Sequence, residues 1–373
     1  MKFIHLSDLH IGKRVNEFSM LEDQKHILNQ ILDIIDSEHP DAVFIAGDIY
    51  DKSVPPTEAV ELLDDFLFRL SERETETFII SGNHDSADRL AFASRLIENS
   101  GVHISRVYNG KVARYTVEGV NIYLLPFLKP AHVRRYFEDE KIGSYTDAMR
   151  VVVDSLNLDA NQRNILITHQ FVTGSSRTES EEISVGGADN VDTEVFAPFD
   201  YVALGHIHRP QNCGSERIRY CGTPLKYSFS EAKDKKSVTV GELADNGELT
   251  IRTVPLVPER EMVELKGSYD ELTSKQFYDN TTYREDYVHI TLTDEEDIPD
   301  AVGKLRAIYH KLMKLDYDNQ RTRSDSSLSL DAQADTKTPP ELFSDFFTAQ
   351  NGKPMNEEQE AYIQSMMESV WEG

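Results

Sequence analysis

Five short polar motifs, each standing at the end of an apolar run, constrain this chain more than any other feature. They are Asp8-Leu9-His10, Gly47-Asp48-Ile49-Tyr50-Asp51, Gly82-Asn83-His84-Asp85, His169-Gln170 and Gly205-His206-Ile207-His208. The runs before them are Phe3 to Leu6, Ala42 to Ala46, Phe78 to Ile80, Ile165 to Ile167 and Tyr201 to Leu204. Apolar runs of this length, ended by Gly or Asp, read as buried strands, and chemistry-bearing side chains collect on the loops at a sheet's edge. A fold for this chain has to bring those five strand ends together.

Between the first motifs the periodicity becomes helical. Leu21, Ile27, Leu28, Ile31, Leu32 and Ile35 predict a helix that stops before His39-Pro40, because a residue preceding proline is pushed out of the helical region. A second helix follows Pro55-Pro56, with Thr57 as cap and Ala59, Leu62, Leu63, Phe66, Leu67 and Leu70 apolar. A third is expected near Asp88 to Asn99. This βαβαβ opening implies parallel strands with right-handed crossovers and puts the motif loops at the carboxyl edge of one sheet. Strand patterns predominate from Val112 to Leu125 and from Arg217 to Val254, which suggests a second, more antiparallel sheet packed on the first, with helices outside.

A proline-marked turn at Pro255 to Pro258 precedes a smaller unit, with strands expected at Glu261 to Leu265 and Tyr287 to Leu292 and a helix near Asp300 to Leu315. The organisation expected is a main domain over 1–257, a small α/β domain over 258–320, a linker over 321–338 and a helical segment over 339–373. The linker is too rich in Ser, Asp, Thr and Ala to bury a core. Beyond it, Leu342, Phe343, Phe346 and Phe347 form one amphipathic pattern. Ile363, Met366, Met367 and Val370 form another, started by Asn356 with Gln359 as a cap pair. A helix pair this small cannot bury its own apolar face, so it either folds back on the main domain or docks on a partner protein, which the linker lets it reach.

The balance of 39 basic against 65 acidic residues, a formal charge of -26, argues by itself against a polyanionic partner. Net charge describes the average field and not one cleft, and two divalent cations would reverse its sign locally. Asp294-Glu295-Glu296-Asp297 is therefore expected away from the cleft, with Lys129, Arg134, Arg135, Arg177 and Lys226 as candidates to line it. Cys213 and Cys221 are not in a CxxC pair and read as reduced thiols. No apolar stretch approaches the roughly 20 residues that cross a bilayer, and the N-terminus does not read as a signal peptide, so a cytoplasmic protein is expected.

The motifs supply hard and borderline donors for two metal ions. Asp8 and His10, two residues apart, leave an extended backbone on one face. Asp48 has two oxygens and can bridge, Asn83 offers an amide oxygen, and His169, His206 and His208 offer imidazole nitrogens. The set divides as Asp8, His10, Asp48 and His208 at one ion and Asp48, Asn83, His169 and His206 at the other. Carboxylate, imidazole and amide without thiolate favour Mn, Fe, Mg or Zn in a hydrolytic site over structural zinc. Two such ions roughly 3.5 to 4 Å apart suit phosphate-ester hydrolysis. His84 is expected to face the substrate, its second N–H accepted by Asp51, so that it stabilises the developing charge and protonates the leaving oxygen. Asp85 is expected to act behind the ligands.

With these residues in view, the chain resembles the calcineurin-like metallophosphoesterases, and within them the SbcD type of nuclease subunit. The nearer resemblance rests on Leu6 to Lys13, Ala46 to Asp51, Ser81 to Asp85 and Gly205 to Gln211. It rests also on Tyr220-Cys221-Gly222-Thr223-Pro224-Leu225-Lys226-Tyr227-Ser228-Phe229-Ser230-Glu231, a segment a generic phosphatase would not share. The resemblance implies a four-layer α/β/β/α sandwich with a small capping domain and a C-terminal helical segment that binds the ATPase SbcC. It implies two divalent ions, usually manganese, with no nucleotide bound by this chain. The implied activity on DNA ends is an ATP-dependent 3′ to 5′ double-strand exonuclease and a single-strand and hairpin endonuclease, in DNA replication and recombination, from a homodimer within a larger complex. The apolar excess at Phe66, Leu67 and Phe68 is compatible with such a dimer. The alternatives from the same ligands are a dinuclear phosphatase for nucleotides or phosphoproteins, and a metal-free binding scaffold, which would need lost ligands.

Overall fold

The computed structural model describes residues 1–181, 189–296, 298–319, 342–344, 347–348 and 354–371. The linker expected over 321–338 and the start of the terminal segment lie outside the described residues.

Two six-stranded sheets face each other. The first is built on β1 (Lys2–Leu6), β2 (Ala42–Ala46), β3 (Glu76–Ile80) and β4 (Val102–Ile104), which run parallel in that order. The second has β5 (Ala113–Val117), β6 (Val120–Leu125), β7 (Arg163–His169), β8 (Tyr201–Gly205), β9 (Gln211–Cys213) and β10 (Ser215–Tyr220), in the order β9-β10-β8-β7-β6-β5. β1, β2 and β3 are buried almost throughout, as strands covered on both faces must be.

Between the sheets Phe3, Phe44 and Phe78 meet Ile122, Ile165 and Tyr201, with the Phe3 and Tyr201 rings 4.8 Å apart. On the outer face of the first sheet lie α1 (Leu21–Glu38) and α2 (Thr57–Ser71), and on that of the second α3 (Tyr145–Ser155). Each side chain fully buried in these layers contributes about 1.5–3 kcal/mol, so the four-layer α/β/β/α sandwich follows from where the apolar runs and stripes fall. Phe66 on α2 belongs to this core, whereas Phe68 is exposed. α1 stops as its sequence requires: His39 turns left-handed at φ 47° and returns its N–H to Ile35 before Pro40.

Three elements differ from the sequence reading. β11 (Ser237–Leu243) and β12 (Leu249–Pro255) do not extend the second sheet. They form a hairpin antiparallel to β1, covering what would be an exposed edge of the first sheet, while the second sheet is parallel inside and antiparallel only at its margins. The helix expected over Asp88 to Asn99 is two short helices, Ala87–Leu90 and Ser94–Ile97, broken where Ala93 enters the left-handed region at φ 59°. The helix expected to reach Leu315 stops at Arg306, and Lys311–Tyr317 is a strand. Lys, Leu and Met are good helix formers, but pairing with Tyr287–Leu292 overrides that weak preference.

That strand, Met262–Gly267 and Tyr287–Leu292 make a small parallel sheet with its own core of Leu265, Leu272, Val288, Ile290, Leu305 and Leu312. It docks on α1, where Asp23, 1% exposed, accepts from Arg260 Nη1 at 3.0 Å and from the Tyr287 hydroxyl at 2.6 Å. At the other end of the chain, helix Glu357–Trp371 begins with Asn356 and Gln359 exchanging side chain to backbone hydrogen bonds of 3.0 and 2.9 Å. Tyr362 on it is 69% exposed; the side chain of Val370 and residue Phe346 lie outside the described residues. No helix among the described residues is long and apolar enough to cross a membrane.

Candidate metal centre

The carboxyl ends of β1, β2 and β3 meet those of β7 and β8, so the five motif loops share one crevice. Convergence does not come from extended backbone, as the Asp8/His10 spacing suggested. Asp8 (φ 53°), His10 (φ 46°), Asp48 (φ 51°) and His206 (φ 104°) all sit in the left-handed region. Such backbone costs of order 1–3 kcal/mol per residue and persists only where surroundings impose it. Here they do: the Asp8 N–H donates to Gly47 O and the His10 N–H to Asp48 O, both at 2.9 Å. Two motif glycines are required by close approach. A Cβ on Gly82 would lie 2.1 Å from Asp48 Oδ1, and one on Gly205 would lie 1.9 Å from Ala46 O.

Asp48 stands at the centre. Its Oδ2 is 3.3 Å from His169 Nε2, 3.8 Å from His10 Nε2 and 4.0 Å from His84 Nε2, while its Oδ1 accepts the His84 backbone N–H at 2.9 Å. On one side His10 Nε2 faces His208 Nε2 at 3.1 Å, with Asp8 in the same group. On the other, Asn83 Oδ1 lies 3.0 Å from His169 Nε2 and 2.9 Å from His206 Nδ1. The seven residues expected as ligands are thus gathered, with the Asp48 carboxylate reaching both groups. Asp8 also groups with Asp48 and His169, and His84 with His10 and Asp48, each set having donor atoms within 4.8 Å.

The donor set fits cations. Asp8, His10, Asp48, His169 and His208 are each at most 2% exposed, an expensive burial for so many polar atoms. Burial would lower His169, but the Asp48 carboxylate beside it pushes it up to about 9. Burial would raise Asp48, but His169, by its charge and hydrogen bond, holds it well below the usual carboxylate range. Asp8 has too little compensation, and burial pushes it up to about 7. Burial drives His10 and His206 well below their ordinary value, leaving neutral imidazoles suited to ligation.

His84 differs from its neighbours in exposure, its side chain being 16% accessible against 1% for His10. Its Nδ1 lies 3.0 Å from the backbone oxygen of Asp51, not from the carboxylate the sequence suggested. That carboxylate instead binds Lys13 Nζ at 2.6 Å and lies 3.8 Å from His10 Nδ1. Asp85 supports the loops, accepting the N–H groups of Ile49, Tyr50 and Gly82 at 3.1, 2.9 and 2.9 Å.

A supporting shell was not read from the sequence. Ser180 Oγ is 2.6 Å from His208 Nδ1 and donates to Glu231, which is fully buried and pairs with Lys236 Nζ at 2.5 Å. Lys236 also donates to His208 O at 2.9 Å, and Glu181 accepts the His208 N–H at 2.6 Å. Behind His10, Gln24 donates to its carbonyl at 2.7 Å, and Tyr227 donates to Leu9 O at 2.6 Å. The segment from Thr223 to Glu231, distinctive in sequence, is therefore the backing of two ligand loops. Of the basic candidates, Lys226 is engaged by Glu261 at 2.5 Å, and Arg177 pairs with Asp189 at 2.8 Å while lying 3.7 Å over the Phe171 ring. Cys213 and Cys221 are buried free thiols.

A polar floor gathered around one shared carboxylate, at the joint edge of two facing sheets, is the build of a metal-dependent phosphoesterase. Residues 1–210 match the family model described as calcineurin-like phosphoesterase, and the chain belongs to that family. Residues 258–351 match a second, described as Type 5 capsule protein repressor C-terminal domain. The SbcD subunit of the SbcCD nuclease from Staphylococcus epidermidis is 35% identical over 84% of this chain and 85% of its own length. Its counterpart of the same description from Staphylococcus saprophyticus is 32% identical over 100% of this chain and 99% of its own. Among solved structures, a dimetal phosphatase from Danio rerio aligns with TM-score 0.42 and 11% identity, over 69% of this chain and 97% of that one.

Proposed function

We propose that this chain is the nuclease subunit of an SbcCD-type complex, hydrolysing phosphodiesters in DNA with two divalent ions, manganese first among them. The observation that carries the hydrolytic part is Asp48, one carboxylate within 4 Å of donors from both groups. The nucleic-acid part is supported by likeness to SbcD subunits along the whole chain.

Asp8, His10, Asp48 and His208 would hold one ion, and Asp48, Asn83, His169 and His206 the other. Bound there, the pair supplies Lewis acidity to a phosphate ester. The protein's own contribution is position and proton supply. The Asp51 carbonyl fixes the Nδ1 edge of His84, and His84 Nε2 delivers a proton to the leaving oxygen as water adds to phosphorus and the P–O bond breaks. Ser180, Glu181 and Lys236 keep His208 oriented, and Gln24 and Tyr227 hold the His10 loop.

The finer reading is an ATP-dependent 3′ to 5′ double-strand exonuclease and a single-strand and hairpin endonuclease, in DNA replication and recombination. It acts in the cytoplasm as a homodimer, with SbcC held by the terminal helical segment. Assayed with Mn²⁺ in the presence and absence of SbcC and ATP, the purified protein should open a hairpin duplex when both are supplied. Efficient hydrolysis of small phosphomonoesters with DNA left intact in every condition would overturn the nuclease reading and favour a phosphatase.

A further inference from the structure

The two histidines assigned to one ion are braced from the small domain, and those assigned to the other are not. On the His10 side the link runs through neighbours on α1. Asp23 and Gln24 are both buried, and consecutive helix residues point about 100° apart, so each meets a different surface. Asp23 accepts from Arg260 and Tyr287, its hydrogen-bond partners among the described residues, and both lie past the turn at Pro255 to Pro258. Gln24 turns to the metal loop, its Nε2 donating to His10 O at 2.7 Å and its Oε1 accepting the Gly12 N–H at 3.0 Å. The turn that carries the pair starts at Met20, which offers no side-chain cap, so outside contacts hold it.

On the His208 side the same alternation recurs along one segment. Lys226 Nζ binds Glu261 at 2.5 Å, and the Phe229 ring lies 5.2 Å from that of His289 in the small domain. Their neighbours face the other way: Tyr227 donates to Leu9 O at 2.6 Å, and Glu231 pairs with Lys236, which donates to His208 O at 2.9 Å. The other ion's histidines are held inside the main domain. His169 Nδ1 lies 2.8 Å from Ala46 O, and the His206 N–H donates to Asp8 Oδ1 at 3.1 Å.

Docking for stability alone needs apolar contact, which Met262, Tyr287 and Met313 already supply by joining the main core. Buried ion pairs add little to that, yet each polar link at this seam stands beside a support of His10 or His208. We propose that the small domain is the outer brace of one metal ion, with Asp23, Arg260, Lys226 and Glu261 as positioning residues for the ion of His10 and His208. Seating of the small domain thereby sets the occupancy of that ion and leaves its neighbour bound. The inference rests on the two-ion reading of the centre.

The test is calorimetric titration of the full chain with Mn²⁺, with electron paramagnetic resonance of the loaded protein. Arg260→Ala with Glu261→Gln cuts both links from the small-domain side. It should weaken one of the two binding steps about three- to ten-fold, less than the roughly 10–100-fold for losing a direct partner of a ligand, and leave the other step unchanged. The exchange-coupled signal of paired ions should give way in part to that of single Mn²⁺. Tyr287→Phe, which keeps the ring in the core, should act in the same direction with a smaller loss. The weakening should persist in a His206→Ala background and vanish in a His208→Ala background, which identifies the ion. Val152→Ala, a cavity in the core under α3, should lower the melting temperature and leave both steps at the parent value. Equal weakening of both ions, parent values in the linked variants, or a selective loss reproduced by Val152→Ala would overturn the inference alone. A parent that takes up a single Mn²⁺ would sink the two-ion reading itself.

Discussion

The pair between Glu231 and Lys236 offers the sharpest quantitative test of how the His208 loop is held. Both side chains are at most 3% exposed, and Lys236 divides its three donors among Glu231 at 2.5 Å, Thr223 Oγ1 at 2.7 Å and His208 O at 2.9 Å. Lys236→Met keeps the length of the side chain and removes the charge, stranding a buried carboxylate and freeing the His208 carbonyl. Breaking a buried pair from one side costs about 3–5 kcal/mol. At about 2–4 °C per kcal/mol this is a fall of roughly 6–20 °C in melting temperature. Glu231→Gln should cost less than Lys236→Met, because the ammonium keeps two neutral acceptors. The double variant should be well more stable than the sum of the two losses implies, since no unpaired charge then remains buried. Differential scanning calorimetry of the four proteins gives the cycle, and Mn²⁺ titration of each should show affinity weakened about 10–100-fold in Lys236→Met. Strictly additive losses, or metal affinity that stays at the parent value, would refute the claim that this pair positions His208.

Asp48→Asn should weaken both ions, measured as metal content after dialysis, because a carboxylate within 4 Å of donors from both groups is lost. His84→Gln should retain metal while lowering cleavage about 10²–10⁴-fold, and equal metal loss in both variants would place His84 among the ligands. Gly205→Ala, whose Cβ would fall 1.9 Å from Ala46 O, should cost at least about 3 kcal/mol in urea unfolding, the backbone on both sides being buried. Deletion from Pro339 onward should abolish co-purification with SbcC, and retained binding would move the partner site elsewhere.

The motif residues, the apolar strands before them and α1 and α2 were legible in the chain, because strand burial and helical spacing are local patterns. Leu21 to Ile35 predicts a helix wherever it is placed, and His39-Pro40 ends it. The donor chemistry was equally local: carboxylate, amide and imidazole are read one residue at a time. Where the chain makes its next choice depends on partners far away. Ser237–Leu243 carries the same apolar pattern whether it joins the first sheet or the second, and pairing with β1, at the opposite end of the main domain's sequence, decides it. Lys311–Tyr317 is a strand because Tyr287–Leu292 offers an edge.

The centre divides in the same way. That Asp8, His10, Asp48, Asn83, His169, His206 and His208 form a set was readable from type and order. That left-handed backbone, not extended spacing, sets Asp8, His10, Asp48 and His206 was not, since Asp8 and His10 acquire those angles beside hydrogen bonds to the Gly47 and Asp48 carbonyls. Asp51 shows the limit most plainly: the residue was identified, but the atom facing His84 is its carbonyl, because Lys13 holds the carboxylate. Ser180, Glu181 and Lys236 carried no motif at all, and only burial beside His208 gives them a task. Sequence by itself determined which donors this protein owns and that strands deliver them. Tertiary structure alone decided their orientation, because the forces that aim a side chain come from groups far away along the chain.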